Sequence, residues 1–447
     1  MRNLYHPTVY NRTLPINSYW ETTANLTNVV CSPLSQSETC DVAIIGGGIT
    51  GLSAALHLAR DYDLKAHILE AGELGWGASG RNGGFCCVGS TKLSNDALVK
   101  RFGLRETRRY FSEQREAVAL VRELAAEENI ENDAQGDGII QVAHRPSRLT
   151  ELEAEHEFLT EVANYPCTLW SKKELSEHGF SCPEVYGALR IGVGFGLNPL
   201  KYTYGLARAT YQRGVLLHPH SPVERWDKNG CWHYLHTPGG TLKARTVIVA
   251  TNGYTENKLH PSFGEHLLPV LSNIITTRPL TQAELEAQDW RTEMPIWDTR
   301  RMLFYYRLLK DGRFLFGSRG GTKGSPTENN HQRSWIIHHF GQMFPGWREV
   351  EVTHFWSGLV CMSSNLSPHI GQLADDPTIF YALAYHGNGV AAGTWSGRAV
   401  ARLLADKDDE TSLCSVFRQP LKRFPLAALR VWYLRSAHIA YQFQDTR

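Results

Sequence analysis

The hydrophobic pattern changes character about forty residues into the chain. Residues 1–40 are polar and rich in Asn, Ser and Thr, whereas around Asp41 the text becomes CDVAIIGGGITGLSAALHLARDYDLKAHILEAGEL. Val42 to Ile45 are apolar at every position, which predicts a strand covered on both faces, as in a parallel sheet. Leu52 to Arg60 predicts a helix, and Lys65 to Leu69 a second strand ending at Glu70. The same logic recurs later. TVIVATNG (Thr246 to Gly253) reads as a buried strand running into a small-residue turn. IFYALAYHGNGVAAGTWSGRAVARLL, from Ile379, reads as strand, glycine turn and helix. GIIQV (Gly138 to Val142), LFYYRL (Leu303 to Leu308) and RFLFG (Arg313 to Gly317) read as further strands. No internal repeat or low-complexity tract interrupts them.

Length and charge narrow the class. A chain of 447 residues is long for one core, so two domains are expected, interleaved in sequence. With 46 Lys+Arg against 45 Asp+Glu the net charge is +1, and no long basic block occurs, which argues against nucleic acid as a partner. The start, MRNLYHPTVYNRTLP, lacks the apolar core of a secretory signal. No stretch approaches the roughly 18 apolar residues that cross a bilayer. The nine cysteines show neither C-x-x-C nor zinc-type pairing. A cytoplasmic protein without metal is expected.

The glycines carry the chemistry. Gly46, Gly48 and Gly51 have G-x-G-x-x-G spacing between the first predicted strand and its helix. Gly46 suits a tight turn, Gly48 close backbone approach to a pyrophosphate, and Gly51 close packing of helix on strand. The helix amino terminus offers free N–H groups and a positive dipole end. Glu70, at the end of the second strand, is placed to hold ribose hydroxyls. A second glycine-rich stretch, ELGWGASGRNGGFCC (Glu73 to Cys87), follows at once. A nicotinamide cofactor has no need of it, but FAD is longer and requires further backbone donors, with Ser79, Arg81 and Asn82 among them. Gly192, Gly194 and Gly196 lead into Asn198-Pro199, and Gly317 to Gly321 into TKGSP. Neither is expected to open a helix, so no second dinucleotide site is expected and oxygen is the simplest electron acceptor.

These motifs, with LGWGASGRNGG, LNPLKYTYGLA, the Trp356–Gly371 segment, AYHGNGV and FPLAALRVWYLRSAHIAY, resemble the D-amino-acid-oxidase-like group of FAD-dependent oxidoreductases. More narrowly, the chain is similar to gamma-glutamylputrescine oxidase and its relatives. The resemblance implies an α/β fold in which a Rossmann-like, glutathione-reductase-like FAD-binding domain carries an inserted mixed-sheet substrate domain. The implied division is an extension at 1–37, FAD-binding pieces at 38–91, 186–260 and 356–447, and substrate pieces at 92–185 and 261–355. The implied cofactor residues are Gly46, Gly48, Ile49, Thr50, Gly51, Glu70, Ala71, Ala78, Ser79, Arg81, Asn82, Gly83, Val223, Gly253, Gly358, Gly387, Asn388, Gly389 and Val390. The implied activity is oxidation of a small-molecule amine, as in polyamine catabolism, by molecular oxygen. Amino-acid or N-methyl amino-acid oxidation is the alternative.

The flavin performs the redox step, so no essential side-chain base is assigned. Tyr306, Arg319 and His386 are candidates for the substrate face, while Arg307 reads as packing. Adjacent Cys86 and Cys87 read as core residues because neighbouring cysteines pair poorly. Cys361 lies where sarcosine oxidases carry a flavin-linked cysteine, but a buried thiol and a non-covalent FAD are expected. His218 and His220 read as strand-end residues. The tail from Leu426 to Tyr441 is expected to pack on its own FAD domain rather than on a membrane. Sarcosine oxidases grip the substrate carboxylate with a lysine and an arginine. Here the place two residues after Gly389 is Ala391, and GGFCCVGSTK after Asn82 has no arginine. A substrate without a carboxylate beside its reacting carbon is therefore expected.

Overall fold

The run at Val42–Ile45 forms the second half of β1 (Glu38–Ile45), followed by α1 (Ile49–Tyr62) and β2 (Ala66–Leu69) in the computed structural model, which describes residues 4–405 and 412–446. β1 lies between β2 and Thr241–Val249, parallel to both. Both its faces are covered, so Val42 to Ile45 are all buried and no alternation is seen. The sheet continues through Ile379–Leu383 and His369–Gln372 on one side and Leu216–His218 on the other, with the Arg225–Asn229 and Trp232–His236 hairpin beside Thr241–Val249. The helices Pro199–Gln212 and Gly389–Ala405 pack on α1.

A second eight-stranded mixed sheet runs in the order Val352–Ser363, Leu267–Pro279, Arg313–Arg319, Tyr305–Leu308, Ile296–Asp298, Ile139–Val142, Gly187–Ile191 and Cys167–Ser171. Its two-residue period separates two faces. One carries Tyr306, Phe314 and Phe316 into an aromatic core with Trp290, Phe344 and Trp347. The other presents Ser272, Ile274, Tyr305 and Arg319 to a cavity between the sheets.

Three sequence expectations meet a different arrangement. Gly187–Ile191 and part of Val352–Ser363 belong to the second sheet, so the cuts expected at 186 and 356 pass through it; within the expected divisions, residues 1–3, 406–411 and 447 lie outside the described residues. Both glycine segments thought not to open helices do lead into one, Pro199–Gln212 and Pro326–Met343. Asn198 and Ser325 cap these by accepting the N–H of Lys201 and Glu328 at 3.1 and 3.2 Å. Proline at the first helical position costs no hydrogen bond and pre-sets the backbone, so cap-then-proline starts a helix. The tail helix Arg430–Thr446, expected on the FAD domain, packs instead on the second sheet, through its strand Leu267–Pro279. Leu434 joins Leu268 and Val270, while Trp432, Tyr433 and Ile439, and Leu429 just before the helix, stay exposed. Among the described residues, no helix is long and apolar enough to cross a membrane.

Candidate cofactor and substrate site

The site begins at the turn between β1 and α1. Gly46 has φ 115°, and a Cβ there would lie 2.8 Å from the Ala250 carbonyl oxygen. A Cβ on Gly51 would lie 2.0 Å from the Gly46 carbonyl oxygen, so only glycine lets α1 sit this close. Gly48 caps α1 without any side-chain hydrogen bond of its own, so apart from the Ile49 N–H the first turn can face an anion. At the far side Glu70 accepts the N–H of Gly47 at 2.7 Å and of Gly72 at 2.9 Å. Burial pushes its carboxyl pKa up, and the two backbone donors oppose that rise.

The Ala78–Gly84 loop closes over this turn. Ser79 Oγ accepts the Ile49 N–H at 2.9 Å. Arg81 stacks on Trp76, 4.4 Å from the ring centre, and donates to the carbonyls of Trp76 and Ser357. Asn82 donates to the Ala78 and Ser79 carbonyls and accepts the Gly84 N–H. The polar side chains of this loop thus shape it from within as well as lining the cavity. Cys86 is buried in the core, and Cys87 Sγ donates to Asn388 Oδ1 at 3.2 Å. Burial raises both thiols, Cys87 to about 12.

The third wall is the turn before Gly389–Ala405. Tyr385 OH accepts from Thr50 Oγ1 at 3.0 Å and donates to the Ala382 carbonyl, tying the last glycine motif to the first. His386 has φ 54°, and its Nε2 accepts the Ser363 N–H at 3.2 Å, which puts the ring proton on Nδ1. Burial first, then Lys92 and His369, lower its pKa to about 3, so the ring is neutral. Cys361 is buried on the adjoining strand, and burial holds its thiol well above the ordinary range.

These walls enclose a cavity of about 480 Å³. It is lined by every sequence-implied cofactor residue except Gly51, which lies under the turn, and Gly253, which packs toward Leu359. Arg319 and His386 line it. Tyr306 does not; it sits in the aromatic core behind the sheet, and its neighbour Tyr305 faces the cavity. Tyr305 OH is 2.9 Å from Ser272 Oγ, and burial raises its pKa to about 12. Arg307 is buried away from the cavity, donating to the Gly83 and Leu197 carbonyls.

The sequence reading passed over Lys92, the last residue of GGFCCVGSTK. It lines the cavity with Arg319, Glu155 and Trp297. Lys92 exposes side-chain surface, yet the protein around it and then the positive Arg319 lower its pKa to about 8. Burial lowers Arg319 too. Among the described residues neither cation has a side-chain hydrogen bond or ion pair. The premise that this segment brings no positive charge to the substrate is therefore corrected. A lysine in an irregular loop carries no periodic signal, and only its distance from Asn82 could have drawn notice.

The residues fit FAD. Two helix amino termini, from α1 and Gly389–Ala405, open on one cavity; a carboxylate stands at one end, and a glycine-lined channel that a Cβ would obstruct runs between. Comparison with known proteins agrees. The pattern of the DAO family, FAD dependent oxidoreductase, matches residues 41–403. The protein named "Probable oxidoreductase OrdL" of Haemophilus influenzae is 32% identical over 393 residues, 87% of this chain and 88% of that one. Gamma-glutamylputrescine oxidoreductase of Escherichia coli K12 is 30% identical over 431 residues, covering 96% and 98%. The crystal structure of glycine oxidase from Geobacillus kaustophilus superposes with a TM-score of 0.69 at 21% identity, covering 87% and 99%. With its glycine cradle and a match spanning most of its length, this chain belongs to the DAO family of FAD dependent oxidoreductases.

Proposed function

We propose that this chain is a cytoplasmic, FAD-dependent amine oxidase acting on a gamma-glutamyl polyamine-like amine. It oxidises the C–N bond to an imine with oxygen reduced to peroxide. The observation that carries this reading is the pair Lys92 and Arg319, two cations facing one aromatic-walled cavity and, among the described residues, without an ion pair. The positive Arg319 disfavours the charge on Lys92, and an anionic substrate group would relieve that repulsion. A gamma-glutamyl amine carries its carboxylate far from the reactive amine, so it can meet these cations while its amine end reaches the flavin side. The E. coli relative, aligned over nearly both whole chains, supports the same substrate class.

FAD, when bound, supplies the acceptor for the hydride lost from the carbon next to nitrogen. The chain's own part is binding and orientation. Arg319 and Lys92 hold the carboxylate, and the Tyr305 ring, fixed through Ser272, stands beside Arg319 on the same sheet face. His386 is neutral and adds no charge near the reacting amine. FAD is held without a covalent link, because burial keeps the Cys361 thiol protonated and only a thiolate would attack. Nine unpaired cysteines suit a reducing compartment.

A second reading has support in the same two cations. They could grip an alpha-carboxylate, making the substrate a glycine-, sarcosine- or pipecolate-type amino acid. Peroxide release from a panel of polyamines, gamma-glutamyl polyamines and amino acids separates the two. A preference for the amino acids overturns the first reading, and substrate oxidation without peroxide overturns the oxidase assignment.

A further inference from the structure

We propose that Glu38, His67 and His218 form a zinc-type divalent metal site at the edge of the first sheet, apart from the cavity, which none of them lines. His67 Nδ1 and His218 Nε2 are 3.4 Å apart, His67 Nδ1 and Glu38 Oε2 are 3.4 Å apart, and His218 Nε2 and Glu38 Oε2 are 3.8 Å apart. Zinc bonds of about 2.0–2.1 Å at tetrahedral angles place neighbouring ligand atoms roughly 3.3–3.4 Å from each other. Two edges of the triangle match that value, and the third is slightly wider.

The competing explanation is a plain carboxylate–imidazole hydrogen-bond cluster. It fits less well. Direct N–H···O contacts are commonest near 2.9–3.0 Å, and the three pairs here, at 3.4, 3.4 and 3.8 Å, are all weak at best. Two imidazole nitrogens facing each other also repel unless a proton or cation lies between them. The outer shell points the same way. His218 Nδ1 lies 3.3 Å from the Ser32 carbonyl oxygen, and donation there leaves the Nε2 lone pair toward the cluster. Metal-bound histidines are oriented by such a second hydrogen bond. The side chains are mostly enclosed, at 13% exposure for His67, 9% for His218 and 25% for Glu38, which leaves room for a water as fourth ligand. Two imidazoles and one carboxylate suit zinc better than magnesium or calcium. His220, which would be the obvious partner of His218 by spacing, is engaged elsewhere, 2.8 Å from Glu73.

A metal here would join the segment at Ser32, the start of β1, β2 and the outermost strand. The His218 carbonyl accepts the N–H of Glu70, so the same strand end frames the far end of the cofactor cradle. The role is structural, fastening the amino-terminal segment across the sheet edge.

The test is calorimetric titration of chelator-treated, flavin-loaded protein with zinc chloride. One tight equivalent is expected, with zinc raising the melting temperature of the wild type. Glu38→Gln and His67→Gln should each weaken binding by at least about 100-fold, since even outer-shell changes cost about 10–100-fold. His220→Ala and Cys231→Ser should bind as the wild type does. Should a variant fold poorly, cobalt on the wild type decides. Four-coordinate cobalt absorption without a thiolate charge-transfer band supports the site; six-coordinate or thiolate-bound cobalt overturns it. No tight equivalent, or one untouched by both substitutions, overturns it as well.

Discussion

Replacing Gly51 by alanine should damage the protein far more than its single added methyl suggests. The new Cβ would stand 2.0 Å from the Gly46 carbonyl oxygen, over 1 Å inside any tolerable contact. Gly46 cannot retreat, because its own Cβ position is already 2.8 Å from the Ala250 carbonyl and its N–H is held by Leu69. Either α1 lifts from the sheet or the turn reshapes. Overpacking a well-filled site costs about 1–3 kcal/mol when side chains can adjust, and here only backbone can, so about 3 kcal/mol or more is expected. For a unit of 150–250 residues that is a fall in melting temperature of roughly 6–12 °C. Gly48→Ala is the contrast. Its Cβ meets only Ser79 Oγ, at 2.7 Å, and a rotation of that hydroxyl sacrifices one hydrogen bond, about 1 kcal/mol. Thermal melts and flavin absorbance per chain should therefore rank wild type, then Gly48→Ala, then Gly51→Ala. A Gly51→Ala protein with wild-type melting and full flavin would refute the reasoning.

Three further outcomes are expected. Acid precipitation should release the flavin, and Cys361→Ala should behave identically; colour left on the denatured wild-type chain alone would contradict this. In free enzyme Lys92 is held at about 8, below the roughly 10.4 of an ordinary lysine, so its charge is present below pH 8 and lost above it. The kcat/KM profile should climb from pH 6 as substrate ammonium loses its proton, then fall above about pH 8. Lys92→Arg should remove that alkaline fall, and an unchanged fall would show that another group causes it. Tyr306→Phe should be neutral or stabilise by about 1 kcal/mol in denaturant melts, because its buried hydroxyl has no hydrogen-bond partner among the described residues. Tyr306→Ala should cost about 3–5 kcal/mol.

What could be read from the residues followed physical distinctiveness. The β1–α1–β2 unit was legible because a wholly apolar strand, a glycine spacing and a terminal acid each have one strong reading and all agree. Tyr305 and Tyr306 were not separable. Both are aromatic, and a two-residue period fixes which faces the cavity only once the register against Phe316 and Gly317 is known. The helices after Asn198-Pro199 and Ser325-Pro326 were not expected, although a capping side chain followed by proline is itself a helix start. Lys92 and the Glu38–His67–His218 cluster depend on tertiary placement of residues that have no spacing signature along the chain.

The account's central claim, that Lys92 and Arg319 select an amine carrying a remote carboxylate, is tested most directly by kcat/KM for peroxide formation from gamma-glutamylputrescine, putrescine and glycine. A hydrogen bond between these cations and a substrate anion is worth about 1.5–3 kcal/mol, which predicts gamma-glutamylputrescine ahead of putrescine by roughly 10-fold or more, with glycine rejected. Putrescine equal to gamma-glutamylputrescine, or glycine ahead of both, would contradict it.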